Sequence, residues 1–128
     1  MTRSILLVDD EEPILFALSD FFAAEGWDVY AARELEEAEA LLATRRFEAA
    51  IADLRLTGYG GAEGLKILQL IHARYPKTRV VLLTAYGSPE VETRARWLGV
   101  DCILHKPQPL SFIAGIVTHL VETNDARA

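Results

Sequence analysis

The sequence predicts an α/β protein built on a parallel sheet, and three observations carry that expectation. Strand-like and helix-like patterns alternate five times along 128 residues. The strand-like runs are continuously apolar: Ile5-Leu6-Leu7-Val8, Ala49-Ala50-Ile51-Ala52, Val80-Val81-Leu82-Leu83 and Cys102-Ile103-Leu104. Such runs suit strands covered on both faces. Each run then stops at polar residues, in order Asp9-Asp10-Glu11, Asp53, Thr84-Ala85 and His105-Lys106-Pro107. In open α/β sheets the sites form in the crevice beyond the carboxyl ends of the strands, so acids and a lysine are expected to meet there.

The elements follow in order. After the first strand, Pro13 to Glu25 carries Ile14, Leu15, Leu18 and Phe22 at helical spacing. Pro13 suits the first helical turn and Gly26 the residue just past the end. Trp27 to Ala32 reads as the second strand. Glu34 to Thr44 is rich in Ala, Leu and Glu, with Leu35, Ala38, Leu41 and Leu42 on one face, which marks a helix. The strand ending at Asp53 is followed by a glycine-rich loop, Thr57-Gly58-Tyr59-Gly60-Gly61, and a helix from Ala62 to Arg74.

Pro76 separates that helix from the fourth strand. Ser88-Pro89-Glu90 then offers an N-cap, a first-turn proline and a first-turn acid to a helix reaching Leu98. Its inward stripe is short, Val91, Ala95 and Leu98, so it is the most weakly anchored of the five helices. Gly99 ends it, Asp101 to Leu104 forms the last strand, and Pro109 to Glu122 forms the last helix, burying Leu110, Ile113, Val117 and Leu120. Strict alternation with short connections implies helices on both faces of the sheet. Residues 1–122 are therefore expected to form one domain, with 123–128 a polar, frayed tail.

Composition excludes several classes. With 51% apolar residues in 14.2 kDa, a core is available without staples, and folding removes roughly two-thirds of the unfolded chain's surface from water. The single cysteine, Cys102, cannot form an internal bridge. It is expected inside a strand as a small hydrophobe, which fits a reducing, cytoplasmic compartment. No apolar run approaches the ~20 residues of a membrane span, and nothing reads as a signal peptide. A net charge of −6 argues against direct binding of nucleic acid. The glycine run lacks G-x-G-x-x-G spacing and a P-loop lysine. His72, His105 and His119 show no metal-ligand spacing, Phe21, Phe22 and Phe112 read as core, and Arg45-Arg46 reads as a solvated pair.

Taken together, Asp9-Asp10, Asp53, Thr84-Ala85 and Lys106-Pro107, each at a strand end, resemble the receiver domain of two-component response regulators from about Ser4 to Glu122. The resemblance implies a flavodoxin-like, doubly wound (βα)₅ sheet of order 2-1-3-4-5. It implies that Asp53 accepts a phosphoryl group from a histidine kinase or phosphotransfer protein. Chemically, a carboxylate is a competent nucleophile toward phosphorus, and the acyl phosphate it forms is reactive enough to be reversible. The family further implies Mg²⁺, held directly by Asp10 and Asp53, by Asp9 partly through water, and by the backbone carbonyl of Arg55. A cation would relieve the mutual repulsion of clustered carboxylates. Lys106 would face the phosphoryl group, with a cis peptide to Pro107, and Thr84 would draw in the loop before the fourth helix. The expected meeting surface is formed by the fourth helix, fifth strand and fifth helix, around Arg94, Arg96, Trp97 and Phe112. A downstream protein, an output domain or a phosphorylation-dependent second copy would bind there.

The chain departs from the family pattern at three places. Ile103 stands where an aromatic reporter is usual, and Tyr86 is a candidate substitute. Thr57 replaces the usual proline of the loop after Asp53. Arg55 and Tyr86, bulky at positions that tune dephosphorylation, predict slow loss of phosphate. Simpler readings cover less. Asp9 or Asp10 could cap the first helix, which accounts for one of them at most. An aspartyl-phosphate phosphohydrolase would carry Asp-x-Asp after the first strand, where this chain has Asp9-Asp10-Glu11 and no cap segment. A receiver-like binding module that works without phosphorylation leaves the intact acid, threonine and lysine set unexplained. The sequence ends about six residues after the last helix, consistent with a stand-alone receiver or with one cut from a longer protein.

Overall fold

A computed structural model describes residues 2–53, 62–85 and 88–127 of the chain. Among them, five strands alternate with five helices: β1 (Ser4–Val8), α1 (Glu12–Ala24), β2 (Asp28–Ala32), α2 (Leu35–Thr44), β3 (Ala49–Ala52), α3 (Ala62–Arg74), β4 (Arg79–Thr84), α4 (Pro89–Trp97), β5 (Cys102–His105) and α5 (Leu110–Arg127). The strands form one parallel sheet in the order β2-β1-β3-β4-β5. This is the flavodoxin-like, doubly wound architecture expected from the alternation and the resemblance.

The two-residue period of a strand divides each apolar run between two cores. Leu6, Val8, Ala50, Ala52, Val80 and Leu82 face α2, α3 and α4, where Leu42, Leu68 and Ile71 meet them. Ile5, Leu7, Ala49, Ile51, Val81 and Leu83 face α1 and α5, where Leu18, Phe22 and Val117 meet them. The central strands β1, β3 and β4 are therefore buried almost throughout.

Helix ends follow local chemistry. Pro13 lies in the first turn of α1, and Gly26, at φ +93°, turns the chain out of it while Trp27 N–H donates to the Phe22 carbonyl at 3.0 Å. Ser88 caps α4, its hydroxyl accepting from Val91 N–H at 3.2 Å. Gly99 ends that helix at φ +88°, and a Cβ there would also lie 2.6 Å from His72 Nδ1. Of the α4 residues, Ala95 alone is fully buried, in keeping with its short apolar stripe.

The structure differs from the sequence reading at several points. Cys102 is half-buried, because β5 is an edge strand paired with β4 alone, and burial raises its thiol pKa. Phe112 is 49% exposed, since Ile113, Ala114, Val117 and Val121 take the inner face of α5. Arg45 is not simply solvated: its guanidinium lies 4.0 Å from the centre of the Tyr30 ring on edge strand β2. Helix α5 continues to Arg127, past the Glu122 where the apolar spacing stops, because extending an existing helix costs far less than starting one. No helix among the described residues is long and apolar enough to cross a membrane.

Phe22 is fully buried between α1 and the sheet, with Trp27 and Phe21 edge-on to its ring. Phe22→Ala is expected to cost about 3–5 kcal/mol of stability, read by chemical denaturation. A loss below about 1 kcal/mol would show that this layer is not the core described.

Candidate functional site

The strand order decides what meets at the top of the sheet. From β1 the chain moves outward to β2 and then returns to β3 on the other side, so β1 and β3 are neighbours at the switch point. Val8 pairs with Ala52 in register, which sets the next residues, Asp9 and Asp53, side by side. Backbone hydrogen bonds hold both: Asp53 N–H donates to the Val8 carbonyl at 3.0 Å, and Asp9 N–H to the Ala32 carbonyl at 3.1 Å. On the other side, Thr84 pairs with His105, and Lys106 N–H donates to the Thr84 carbonyl at 2.8 Å.

Side chains converge from these strand ends. One carboxylate oxygen each from Asp9, Asp10 and Asp53 lie within 4.8 Å of one another. Lys106 Nζ sits 2.8 Å from Asp9 Oδ2, 2.7 Å from Glu11 Oε2 and 3.2 Å from Asp53 Oδ2. Asp9 Oδ1 also accepts from Glu11 N–H at 2.9 Å. Asp9, Asp53 and Thr84 are buried, whereas Asp10 and Glu11 are exposed. The peptide between Lys106 and Pro107 is cis.

The electrostatics are those of a crowded acidic pocket. Burial pushes the Asp9 carboxyl above its ordinary pKa, against the opposing pull of Lys106 and the Glu11 N–H. Asp10, though exposed as a residue, is raised too, by partial desolvation of its carboxylate and then by the negative charge of Asp53. For Lys106, burial alone would lower the pKa. Its hydrogen bonds to Asp9 and Glu11, with the charges of Asp9 and Asp53, outweigh that and hold the ammonium above the ordinary lysine value. One ammonium thus serves four neighbouring carboxylates, Asp9, Asp10, Glu11 and Asp53, and the pocket keeps a negative excess. An all-oxygen donor set of this kind fits a hard divalent cation such as Mg²⁺ and not a thiolate- or imidazole-seeking metal.

The structure brings Asp9, Asp10, Asp53 and Lys106 together and sets Thr84 at the neighbouring strand end. Arg55, the loop from Thr57 to Gly61 and Tyr86 lie outside the described residues. Sequence reasoning assigned no role to Glu11. Its partner is 95 positions away, and the available signal was its place directly after Asp9-Asp10 and before a helix.

The fold is of the flavodoxin-like, CheY-like class. The chain belongs to the response regulator receiver domain family, whose model matches residues 5–117. It is 34% identical over 117 residues to the photosynthetic apparatus regulatory protein RegA of Cereibacter sphaeroides, covering 91% of this chain and 60% of that relative. The chain thus spans about three-fifths of the relative's length. A CheY-like response regulator receiver domain protein from Methanospirillum hungatei shares the fold across the whole of both chains, with a TM-score of 0.93 at 23% identity. A response regulator from Burkholderia pseudomallei, solved with a phosphorylated aspartic acid, a calcium ion and citrate, matches with a TM-score of 0.81 at 27% identity, over 98% of this chain and 73% of that one. Receiver domains act as switches rather than as classical enzymes, and they bind Mg²⁺ at an acidic pocket; here Asp9, Asp10 and Asp53 form such a cluster.

The raised carboxyls give a signed prediction for the metal-free protein. A folded-state pKa above the unfolded value means that the native state holds the proton more tightly. Stability then falls as pH rises from the ordinary carboxylate range through the raised value. Asp10→Asn removes that cost, so the variant should melt above wild type at neutral pH in chelator, by a margin that solvent screening of this exposed group keeps small. The gap should close as pH falls toward the ordinary aspartate value of about 4. A variant melting at or below wild type at neutral pH would show that the acids do not strain one another. Lys106 acts in the opposite sense: its contribution is complete below the ordinary lysine value and is lost as pH rises through the raised one.

Proposed function

We propose that residues 1–122 act as a phosphoryl-accepting switch in a two-component pathway, with Asp53 as the acceptor and a histidine kinase or phosphotransfer protein as donor. The observation that carries this reading is the position of Asp53. Its carboxylate ends a central strand, lies 3.2 Å from Lys106 Nζ and shares a pocket with Asp9 and Asp10. An Asp53 oxygen attacks phosphorus as the donor's bond to phosphorus breaks, giving an acyl phosphate and freeing the donor. Lys106 gives positive charge to the phosphoryl oxygens and in doing so exchanges part of its present pairing with Asp9 and Glu11. Asp10 and Asp53 would hold Mg²⁺, with Asp9 helping and the Arg55 backbone carbonyl completing the protein's share, and the bound ion would neutralise charge at those oxygens. The phosphorylated aspartic acid in the Burkholderia relative supports the same chemistry here.

The readout belongs to Thr84 and α4. The Thr84 hydroxyl turns to a phosphoryl oxygen and draws the following residues inward, biasing a helix that has little apolar anchorage. The surface of α4, β5 and α5 receives a downstream protein, an output domain or a second copy. Trp97, 83% exposed, and Phe112 supply apolar area there, beside Arg94 and Arg96. In such a pathway the chain works in the cytoplasm, where the kinase or phosphotransfer protein meets it. Arg55 and Tyr86, bulky residues two positions after Asp53 and two after Thr84, favour slow loss of phosphate.

Intact mass after treatment with acetyl phosphate tests the assignment. Wild type should gain one phosphoryl group when Mg²⁺ is present, and chelation or Asp53→Asn should abolish that gain. Equal labelling of Asp53→Asn, or a folded wild type that takes no label, would overturn it.

A further inference from the structure

The end of the sheet opposite the acids carries a second feature. The α2–β3 and α3–β4 connections meet there below β3 and β4, and they border an open cleft of about 480 Å³. Phe47, Tyr75, Pro76 and Val121 give it an apolar wall, and Arg46, Arg74 and Lys77 stand at its rim. Its shape is fixed in advance. The Tyr75 hydroxyl donates to the Leu42 carbonyl at 2.6 Å, and the Thr78 hydroxyl to the Phe47 carbonyl at 2.7 Å. These two bonds tie the connections together, so the walls do not have to be ordered when a ligand arrives.

The charge here is opposite to that of the chain as a whole, which is −6. The acid lining this cleft, Glu48, already accepts from Ser4 N–H at 3.0 Å. Arg46 and Arg74 are exposed and have no hydrogen-bond or ion-pair partner among the described residues. Two unpaired guanidiniums offer forked donors matched to carboxylate or phosphate oxygens, and the wall beside them offers apolar burial.

We propose that this cleft is a binding site for a small organic anion, a carboxylate or phosphate joined to a flat apolar body. The anion bridges Arg46 and Arg74, and the body lies against Phe47 and Val121. The site is about as large as a drug-sized ligand requires. It sits at the base of the same two strands whose upper ends carry Asp53 and Thr84, yet it uses none of the residues of the acidic pocket.

Naphthoate is the probe, with naphthol as its uncharged twin and chelator present throughout. Amide resonances of Phe47, Thr78 and Val121 are followed by heteronuclear NMR. Naphthoate should shift them saturably, and naphthol should bind about tenfold more weakly or worse. The double variant Arg46→Gln/Arg74→Gln should lose about tenfold in affinity for naphthoate with its melting temperature unchanged, since both side chains are exposed. Still resonances at millimolar probe, equal binding of naphthol, or undiminished binding by the double variant would each overturn the proposal. None of these outcomes depends on whether Asp53 takes a phosphoryl group.

Discussion

The pairing of Lys106 with the acids at the strand ends is the interaction on which the site depends. Its ammonium is within 3.2 Å of Asp53, 2.8 Å of Asp9 and 2.7 Å of Glu11. Burying carboxylates together is unfavourable unless positive charge is near. Lys106 supplies part of that charge while staying protonated well beyond neutral pH. It does not offset everything: desolvation first, and the charge of Asp53 after it, leave the Asp9 and Asp10 carboxyls raised. A pocket in this condition has a standing affinity for further positive charge. It also holds a cation that can turn from carboxylates to another anion, because Glu11 is exposed and can take up water in exchange.

The rest of the fold sets that pairing. Lys106 reaches the acids from the end of β5, where its backbone N–H is held by the Thr84 carbonyl of β4. Asp9 and Asp53 adjoin because the chain returns past β1 to form β3. The two hydrophobic layers hold the strand ends in register, so the site inherits its geometry from buried apolar contacts. The less anchored parts lie at the edges: β2 and β5 at the sides of the sheet, and α4 with its one fully buried residue. A rigid centre with a loosely held helix beside it is what a two-state element needs.

Much of this was legible in the sequence, for a specific reason. Parallel strands buried on both faces appear as unbroken apolar runs, and the polar residue ending each run marks the site edge. Asp9, Asp53, Thr84 and Lys106 were therefore visible as strand ends before any strand was placed. What stayed hidden depends on which elements become neighbours. Glu11 is defined by a partner 95 residues away. The half-exposure of Cys102 follows from β5 being an edge. Arg45 found the Tyr30 ring because α2 ends beside β2. Arg46 and Arg74 share a rim because two connections fall at the same end of the sheet. None of these is a local pattern, and periodicity reports only local patterns.

We infer that the acid cluster is a cation site that Lys106 satisfies in part. Thermal melting against Mg²⁺ concentration tests it most directly, since a ligand that binds the native state raises the melting temperature with concentration. Mg²⁺ should stabilise wild type progressively, and Asp10→Asn should lose most of this response. An equal rise in both proteins, or no rise in wild type, would contradict it.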